Sequence, residues 1–129
     1  MKLTTFTQYG LRSLVRLAIL QGEGNKWISV KQVAEIEGMS DKYIEPIFST
    51  LRENGFVKAS KGRYGGYRLN KPSEDINVHE VVMLLDKNLQ PLKMEGMEIL
   101  ETMFKVVDLG IADLLKDVTI DDLINNLKK

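Results

Sequence analysis

The residues best suited to chemistry are cations grouped around a glycine-rich turn. Between Lys58 and Arg68 the chain has four Lys and Arg and no Asp or Glu. Lys61 and Arg63 lie at the turn itself, where three glycines permit a sharp reversal with positive φ. Cations on such a tip have few partners in their own chain, and they form strong hydrogen bonds with phosphate groups. We therefore predict a hairpin whose tip binds anions.

Residue types that support catalysis or metal binding are scarce. The chain has no cysteine, which excludes disulfides, thiolate metal sites and a cysteine nucleophile. The single histidine, His79, has no clustered carboxylates that would indicate a metal site or a catalytic triad. There is no glycine motif of the P-loop type. We therefore expect no enzyme activity, no metal and no other cofactor.

Charge is divided unequally along the chain although the formal net charge is zero. Residues 1–72 contain twelve Lys and Arg against six Asp and Glu, whereas residues 73–129 contain six against twelve. A basic half beside a binding motif indicates a surface that meets phosphates, and without such a motif it is an ordinary solvated face. No apolar run is long enough to span a membrane, so we expect a cytoplasmic protein with no membrane contact.

The elements that must position the hairpin have a helix-turn-helix pattern. A first helix over 5–21, where Thr5 and Gln8 have capping-box spacing, is followed by a capping box at Ser29–Gln32 and a second helix that Gly38 ends. A third helix begins at Ser40 as its N-cap. Its apolar positions follow helical spacing: Ile44, Ile47, Phe48 and Leu51.

The polar face of the third helix and the basic hairpin together predict a winged helix-turn-helix over residues 1–72. In the hairpin, alternation predicts that Val57, Ala59, Tyr67 and Leu69 face inward. Pro46 is expected either to kink the third helix or to mark the end of a 3₁₀-like first turn. The fold class is therefore mainly α with a small β-hairpin.

Residues 73–129 are predicted to form a helical connector and a dimerisation region. A fourth helix starts near Asn77, a connector spans 86–95, a long helix starts at Met97, and a capping box at Thr119–Asp122 opens a terminal helix. Apolar residues of the long helix recur at steps of three and four, the pattern of a coiled-coil seam. This stripe is buried against its own chain or against a second copy. We favour a homodimer, because winged helices that recognise DNA commonly pair to bind two half-sites. Its contacts would be Leu100, Phe104, Val107, Ile111 and Leu114.

Four stretches resemble the Rrf2 family of bacterial transcription regulators, the group of IscR, NsrR and CymR. They are the opening MKLTTFTQYGLRSL, the segment SVKQVA from Ser29, the segment SDKYIEPIFSTL from Ser40 and the segment KGRYGGYRL from Lys61. The resemblance covers nearly the whole chain. It implies a homodimeric, sequence-specific DNA-binding regulator, expected to be a repressor, with the third helix in the major groove and the wing at the minor groove.

The resemblance also assigns DNA contacts by position. They are Ser40, Lys42, Glu45 and Pro46 in the third helix and Lys61, Arg63 and Gly65 in the wing. A physical argument adds Ser29 and Lys31, because a helix N-terminus suits a phosphate. Two alternatives stay open: Glu45 could pair with Lys42 or Ser49 instead of accepting a hydrogen bond from cytosine, and Tyr64 could pack on the wing or on a sugar.

The sequence departs from the family where iron–sulfur members bind their cluster. The stretch Asn88–Met97, where those members have three cysteines, has none, and Gln8 stands where some members have an acidic ligand. The iron–sulfur chemistry of the family is therefore not expected. Besides DNA binding, two functions remain open: a winged-helix module that binds a regulatory protein, and a regulator that binds a small effector in an apolar pocket between the fourth helix and the long helix.

Overall fold

A computed structural model describes residues 3–86 and 95–127 of the chain. The helices are α1 (Thr5–Gln21), α2 (Val30–Glu37), α3 (Asp41–Glu53), α4 (Val78–Leu85), α5 (Glu98–Leu115) and α6 (Ile120–Leu127). Strands β1 (Val57–Ser60) and β2 (Gly66–Leu69) form an antiparallel hairpin, and a 3₁₀ turn spans Ser73–Asp75. The mainly α fold with a small hairpin is confirmed. Most of the predicted connector over 86–95 lies outside the described residues.

Side-chain caps determine where the helices begin. At the start of α2, Ser29 and Gln32 form the expected reciprocal capping box. At the start of α1 the expected cap was wrong by one residue, since Thr4 and not Thr5 is the N-cap, and its hydroxyl accepts a hydrogen bond from the Thr7 N–H at 3.2 Å. Both threonines offer the same side-chain oxygen, so local sequence alone could not distinguish them.

The turn between α2 and α3 follows from one glycine and one irregular first turn. Gly38 adopts a left-handed conformation with φ of 67° and ends α2. Ser40 is the N-cap residue of α3, as expected, but its side chain makes no capping hydrogen bond. Its carbonyl accepts a 3₁₀-type bond from Tyr43 (3.1 Å) and an α-type bond from Ile44 (3.2 Å). Pro46 therefore lies within a continuous helix whose first turn is partly 3₁₀ in character.

One hydrophobic core joins the apolar faces of the helix-turn-helix, the hairpin, α4 and α6. The ring of Phe48 on α3 stacks on Tyr67 of β2 with 4.9 Å between centroids, which fixes the hairpin to α3. Side chains from both sides of residue 72 enter this core, and the division of the chain into two units at that residue stays a prediction. The core residues with no exposed surface include Leu14, Leu17, Val33, Ile44, Ile47, Phe48, Leu51, Ile76, Val81 and Ile120.

A third segment pairs with the hairpin at β2. The Ile28 N–H donates to the Tyr67 carbonyl at 2.9 Å, and the Tyr67 N–H donates back to the Ile28 carbonyl at 2.7 Å. Val57 is buried as expected, but the expectation for Ala59 was wrong, because its side chain is exposed. The hairpin extends beyond the core after Val57, so strand alternation no longer implies burial there.

A carboxylate enclosed by two arginines fixes α2 against α1. The Glu37 side chain is only 2% exposed, and its two oxygens accept hydrogen bonds from the Arg12 Nε at 2.7 Å and the Arg16 Nε at 3.0 Å. Burial by itself would raise the pKa of Glu37, but the hydrogen bonds and charges of Arg16 and Arg12 outweigh it and hold the pKa below its usual value of 4.5. Glu37 is the last residue of α2, directly before Gly38.

We expect Glu37→Gln to lower stability at neutral pH by about 1 kcal/mol, a modest loss because Arg12 is 62% exposed and solvent screens its charge. A carboxyl group whose folded-state pKa is depressed stabilises the fold above its unfolded-state pKa, and this contribution is lost as pH falls through 4.5 towards the lower folded-state value. Melting temperatures of the two proteins should therefore differ most near neutral pH and converge in acid. A difference that stayed constant down to about pH 3.5 would contradict this account.

Candidate nucleic-acid interface

The outward face of α3 is polar and has no partner within the described chain. Lys42, Glu45 and Pro46 are exposed, away from the buried apolar residues of the helix, and the N-cap residue Ser40 is exposed at its start. No ion pair joins Lys42 to Glu45, so the alternative that these two side chains neutralise each other has no support in the structure. A cation, an acceptor and a small apolar ring are thus presented together on one face.

The tip of the hairpin presents two cations and a tyrosine on a tight turn. Gly62 has φ of 111°, and its carbonyl accepts a hydrogen bond from the Gly65 N–H at 3.1 Å. Lys61 and Arg63 are exposed, and the Arg63 guanidinium lies 5.6 Å from the ring centroid of Tyr64. Tyr64 is itself 82% exposed, so it does not pack on the body of the wing. Packing on a sugar is the alternative that remains for it.

The glycines next to the tip are required by close backbone approaches. A Cβ at Gly65 would collide with the Ser60 carbonyl oxygen, and a Cβ at Gly66 would collide with the Ile28 carbonyl oxygen. Gly66 also has φ of 153°. The structure therefore gives Gly65 a role in shaping the tip, and its assignment as a DNA contact stays a prediction.

At the N-terminus of α2 the two predicted contacts differ in availability. The N–H of Ser29 donates to the Gln32 side chain at 2.9 Å, and its hydroxyl accepts from the Gln32 N–H at 3.1 Å, so both groups already have partners. Lys31 is exposed. A phosphate at this helix end would meet Lys31 freely, whereas contact with Ser29 would compete with the capping box.

A further group of cations lies on the outer face of the hairpin, and sequence analysis gave it no role. We call it the outer basic depression: a hollow of about 410 Å³ lined by Lys58, Arg68 and Lys71 together with Gln21 and Asn25. The sequence indicates this group of cations only in part. Alternation places Lys58 and Arg68 on the outer face, but their direct opposition depends on the register of the two strands.

The stripe on α5 is not buried within its own chain. Phe104 is 42% exposed, Val107 51% and Leu114 81%, and no residue of α5 is fully buried. Leu100 and Ile111 are half-buried. The sequence left open whether this stripe packs inside one subunit. The described residues do not cover it. The helix ends at Leu115, so the next apolar residue at this spacing, Val118, lies beyond it.

Apolar surface depressions occur elsewhere than expected. One of about 430 Å³ lies between α1 and α6 and is lined by Leu11, Val15 and Leu123. Another, of about 380 Å³, lies beside the start of α1, next to Phe6 and Leu84. The effector pocket between α4 and α5 stays a prediction.

Helices α2 and α3 form a helix-turn-helix, and a basic hairpin packs on α3. This combination defines a winged-helix DNA-binding protein. Residues 3–126 match the family described as "Rrf2: Iron-dependent Transcriptional regulator". The chain belongs to the Rrf2 family, whose members are DNA-binding transcription regulators and not enzymes.

Individual relatives agree with this assignment. The chain is 30% identical over 134 residues to the HTH-type transcriptional regulator IscR of Pectobacterium carotovorum, an alignment that covers 98% of this chain and 80% of that protein. It is 33% identical over 127 residues to the regulator CymR of Bacillus subtilis, with 95% and 89% coverage. The solved structure of CymR (YrzC), described as the global cysteine regulator of B. subtilis, matches with a TM-score of 0.79 at 26% identity, covering 98% of both chains.

The donor atoms of this chain do not fit an iron–sulfur cluster. There is no cysteine in the sequence, and residues 3–86 and 95–127 contain no group of three or more His, Cys, Asp or Glu side chains that could hold a metal ion. Thiolates are the usual ligands of such clusters. The part of the chain that the structure describes also has no helix long and apolar enough to cross a membrane.

We expect Gly65→Ala to distort the wing, because its new methyl group would collide with the Ser60 carbonyl oxygen. Overpacking of this kind costs about 1–3 kcal/mol. Thermal unfolding should detect the loss, and DNA affinity should fall with it. Gly24→Ala is the matched control, since its Cβ would meet nothing within 4 Å. Equal melting temperatures for the two variants would show that the tip adapts without strain.

Proposed function

We propose that the protein is a homodimeric repressor that binds two half-sites of a DNA duplex in the cytoplasm. In each subunit α3 enters the major groove and the wing tip lies at the minor groove. The observation that supports this best is the pairing of an exposed polar face on α3 with an exposed basic tip, both held on one core by the stack of Phe48 on Tyr67.

The two surfaces contribute different terms to binding. Lys31, Lys61 and Arg63 would neutralise phosphates, which supplies affinity and a steep salt dependence without sequence choice. On α3, Lys42 would donate to guanine, Glu45 would accept from cytosine and Pro46 would contact a thymine methyl. Each good pairing with a base edge discriminates by about 1–3 kcal/mol, so a few such contacts suffice to select an operator.

A second copy of the chain is the proposed partner of α5. Exposed apolar stripes of this length are unusual on a monomer and mark interaction sites. A coiled-coil-like spacing suits a twin helix, and a two-fold dimer would present two copies of α3 to half-sites one helical turn apart, about 34–36 Å. The proposed contacts are Leu100, Phe104, Val107, Ile111 and Leu114.

The function is tested by titrating a labelled genomic fragment from upstream of the protein's own gene at two salt concentrations, beside a scrambled fragment. Tighter binding to the genomic fragment, weakened steeply by salt, supports the proposal. Equally weak binding to both would instead favour a module that binds a regulatory protein. Selection of bound fragments from the whole genome would then define the operator and the regulated genes.

We expect Arg63→Ala to weaken binding to every DNA sequence and to lower the salt slope by about 1, as for the loss of one phosphate contact. The matched control is Arg52→Ala, which removes the same charge from an exposed position near the end of α3. Fluorescence anisotropy over a series of salt concentrations gives both slopes. If Arg63→Ala instead lost discrimination at a single base pair, Arg63 would contact a base and not a phosphate.

We expect Val107→Asp to convert the dimer to a monomer, because it would place a charge in the seam of α5. Val106→Asp is the control, since Val106 is also exposed on α5 but lies outside the seam. Light scattering coupled to size exclusion gives both masses. A Val107→Asp protein of dimer mass would disprove the assigned seam, and loss of the dimer in both variants would mean a broader interface.

A further inference from the structure

The outer basic depression lies on the face of the hairpin that points away from the core. Lys58 and Arg68 are direct cross-strand partners, one residue along from the pair of Val57 with Leu69, which is buried. Lys71 follows β2 and lines the same hollow. Three cations therefore converge on one depression of about 410 Å³ whose lining contains no carboxylate.

This arrangement has an electrostatic cost that no carboxylate among the described residues offsets. Like charges directly opposite each other on a sheet are destabilising. In the described part of the chain no ion pair involves Lys58, Arg68 or Lys71, although other arginines of the protein do have carboxylate partners. An acid at either strand position would relieve the repulsion, so stability alone does not account for these residue types.

The cations are held in place by groups other than carboxylates. The Arg68 guanidinium lies 4.1 Å above the ring centroid of Trp27, and its Nη1 donates to the Asn25 carbonyl at 3.1 Å. The Lys71 Nζ lies 5.1 Å from the ring centroid of Phe56. Stacking and one carbonyl bond orient the guanidinium but leave most of its donors without a partner among the described residues, which preorganises it for an anion.

We propose that the outer basic depression binds a phosphate group, and that in the DNA complex this group belongs to the backbone beside the groove that the wing tip enters. The source of the phosphate rests on the proposed function. A strand rises about 3.3 Å per residue, so Lys58 lies roughly 10 Å from Lys61 at the tip. Phosphates line both edges of the minor groove, which is about 6 Å wide. With the wing tip in this groove, Lys58 can therefore reach a phosphate at the edge of the groove. A small phosphate-bearing ligand would present the same chemistry.

The first test is Lys58→Gln, which should weaken DNA binding without lowering stability. Removing one of two opposed charges should leave the melting temperature unchanged or raise it. Loss of one phosphate contact should lower the salt slope by about 0.9, so the ratio of DNA affinities at about 50 and 200 mM salt should shrink roughly 3.5-fold. Lys105→Gln, an exposed position on α5, is the matched control with no expected change in slope.

The second test varies the length of the duplex. Wild-type protein should bind an operator extended by about five base pairs on each side more tightly than one that ends at the wing's groove, because only the longer duplex offers the flanking phosphate. Lys58→Gln should gain less from the extension. An unchanged salt slope and an unchanged gain with length would together reject the DNA backbone as the source.

The third test uses inorganic phosphate as the probe, exchanged for chloride at constant ionic strength. A rise in melting temperature in wild type and Lys105→Gln but not in Lys58→Gln would show that the depression binds phosphate, and together with an unchanged salt slope in the first test it would assign the site to a free phosphate-bearing ligand. Absence of any effect in all three tests would overturn the inference. If wild-type protein failed to bind operator DNA at all, the proposed function would be wrong. The phosphate titration would still show whether the depression binds phosphate.

Discussion

The burial of one face of α3 is the constraint on which the rest of the structure depends. Ile44, Ile47, Phe48 and Leu51 have no exposed surface, so the rotation of this helix about its own axis is fixed. Its polar residues, among them Lys42 and Glu45, therefore face outward. The stack of Phe48 on Tyr67 extends the same constraint to the hairpin. Helix α3 and the wing are therefore held in one geometry by the core.

The excess of cations in the first half of the chain is not all available to a ligand. Arg12 and Arg16 are committed to Glu37, where they hold α2 against α1. Among the cations without an ion pair in the described residues, Lys42 lies on α3, and Lys61 and Arg63 lie at the tip of the hairpin. The number of cations in a sequence segment thus overstates how many can meet a ligand, because ion pairs within the chain occupy some of them.

Membership of a family described as iron-dependent does not bring its chemistry to this chain. The helix-turn-helix and the wing retain the residues that the fold needs, whereas the cysteine ligands of a cluster are missing from the sequence. DNA binding depends on the shape and charge of one surface, and metal sensing depends on a separate donor set, so the two properties can be lost independently.

The sequence by itself determined the local elements. Its capping residues placed the start of α1 to within one residue, and its apolar spacing identified the buried face of α3. Its glycines located the end of α2 and the wing. These features depend on residues within a few positions of each other. Even here Ala59 was misplaced, since alternation indicates a face but not whether the core reaches it.

Only the tertiary structure decided the contacts between distant segments. The pairing of Ile28 with Tyr67, the enclosure of Glu37 by two arginines and the convergence of Lys58, Arg68 and Lys71 join residues that periodicity treats separately. The exposure of the α5 stripe belongs to the same class, because an apolar helix face looks the same in sequence whether its own chain covers it or not. Such features depend on how distant segments pack against each other, and the spacing of neighbouring residues does not show which segments these will be.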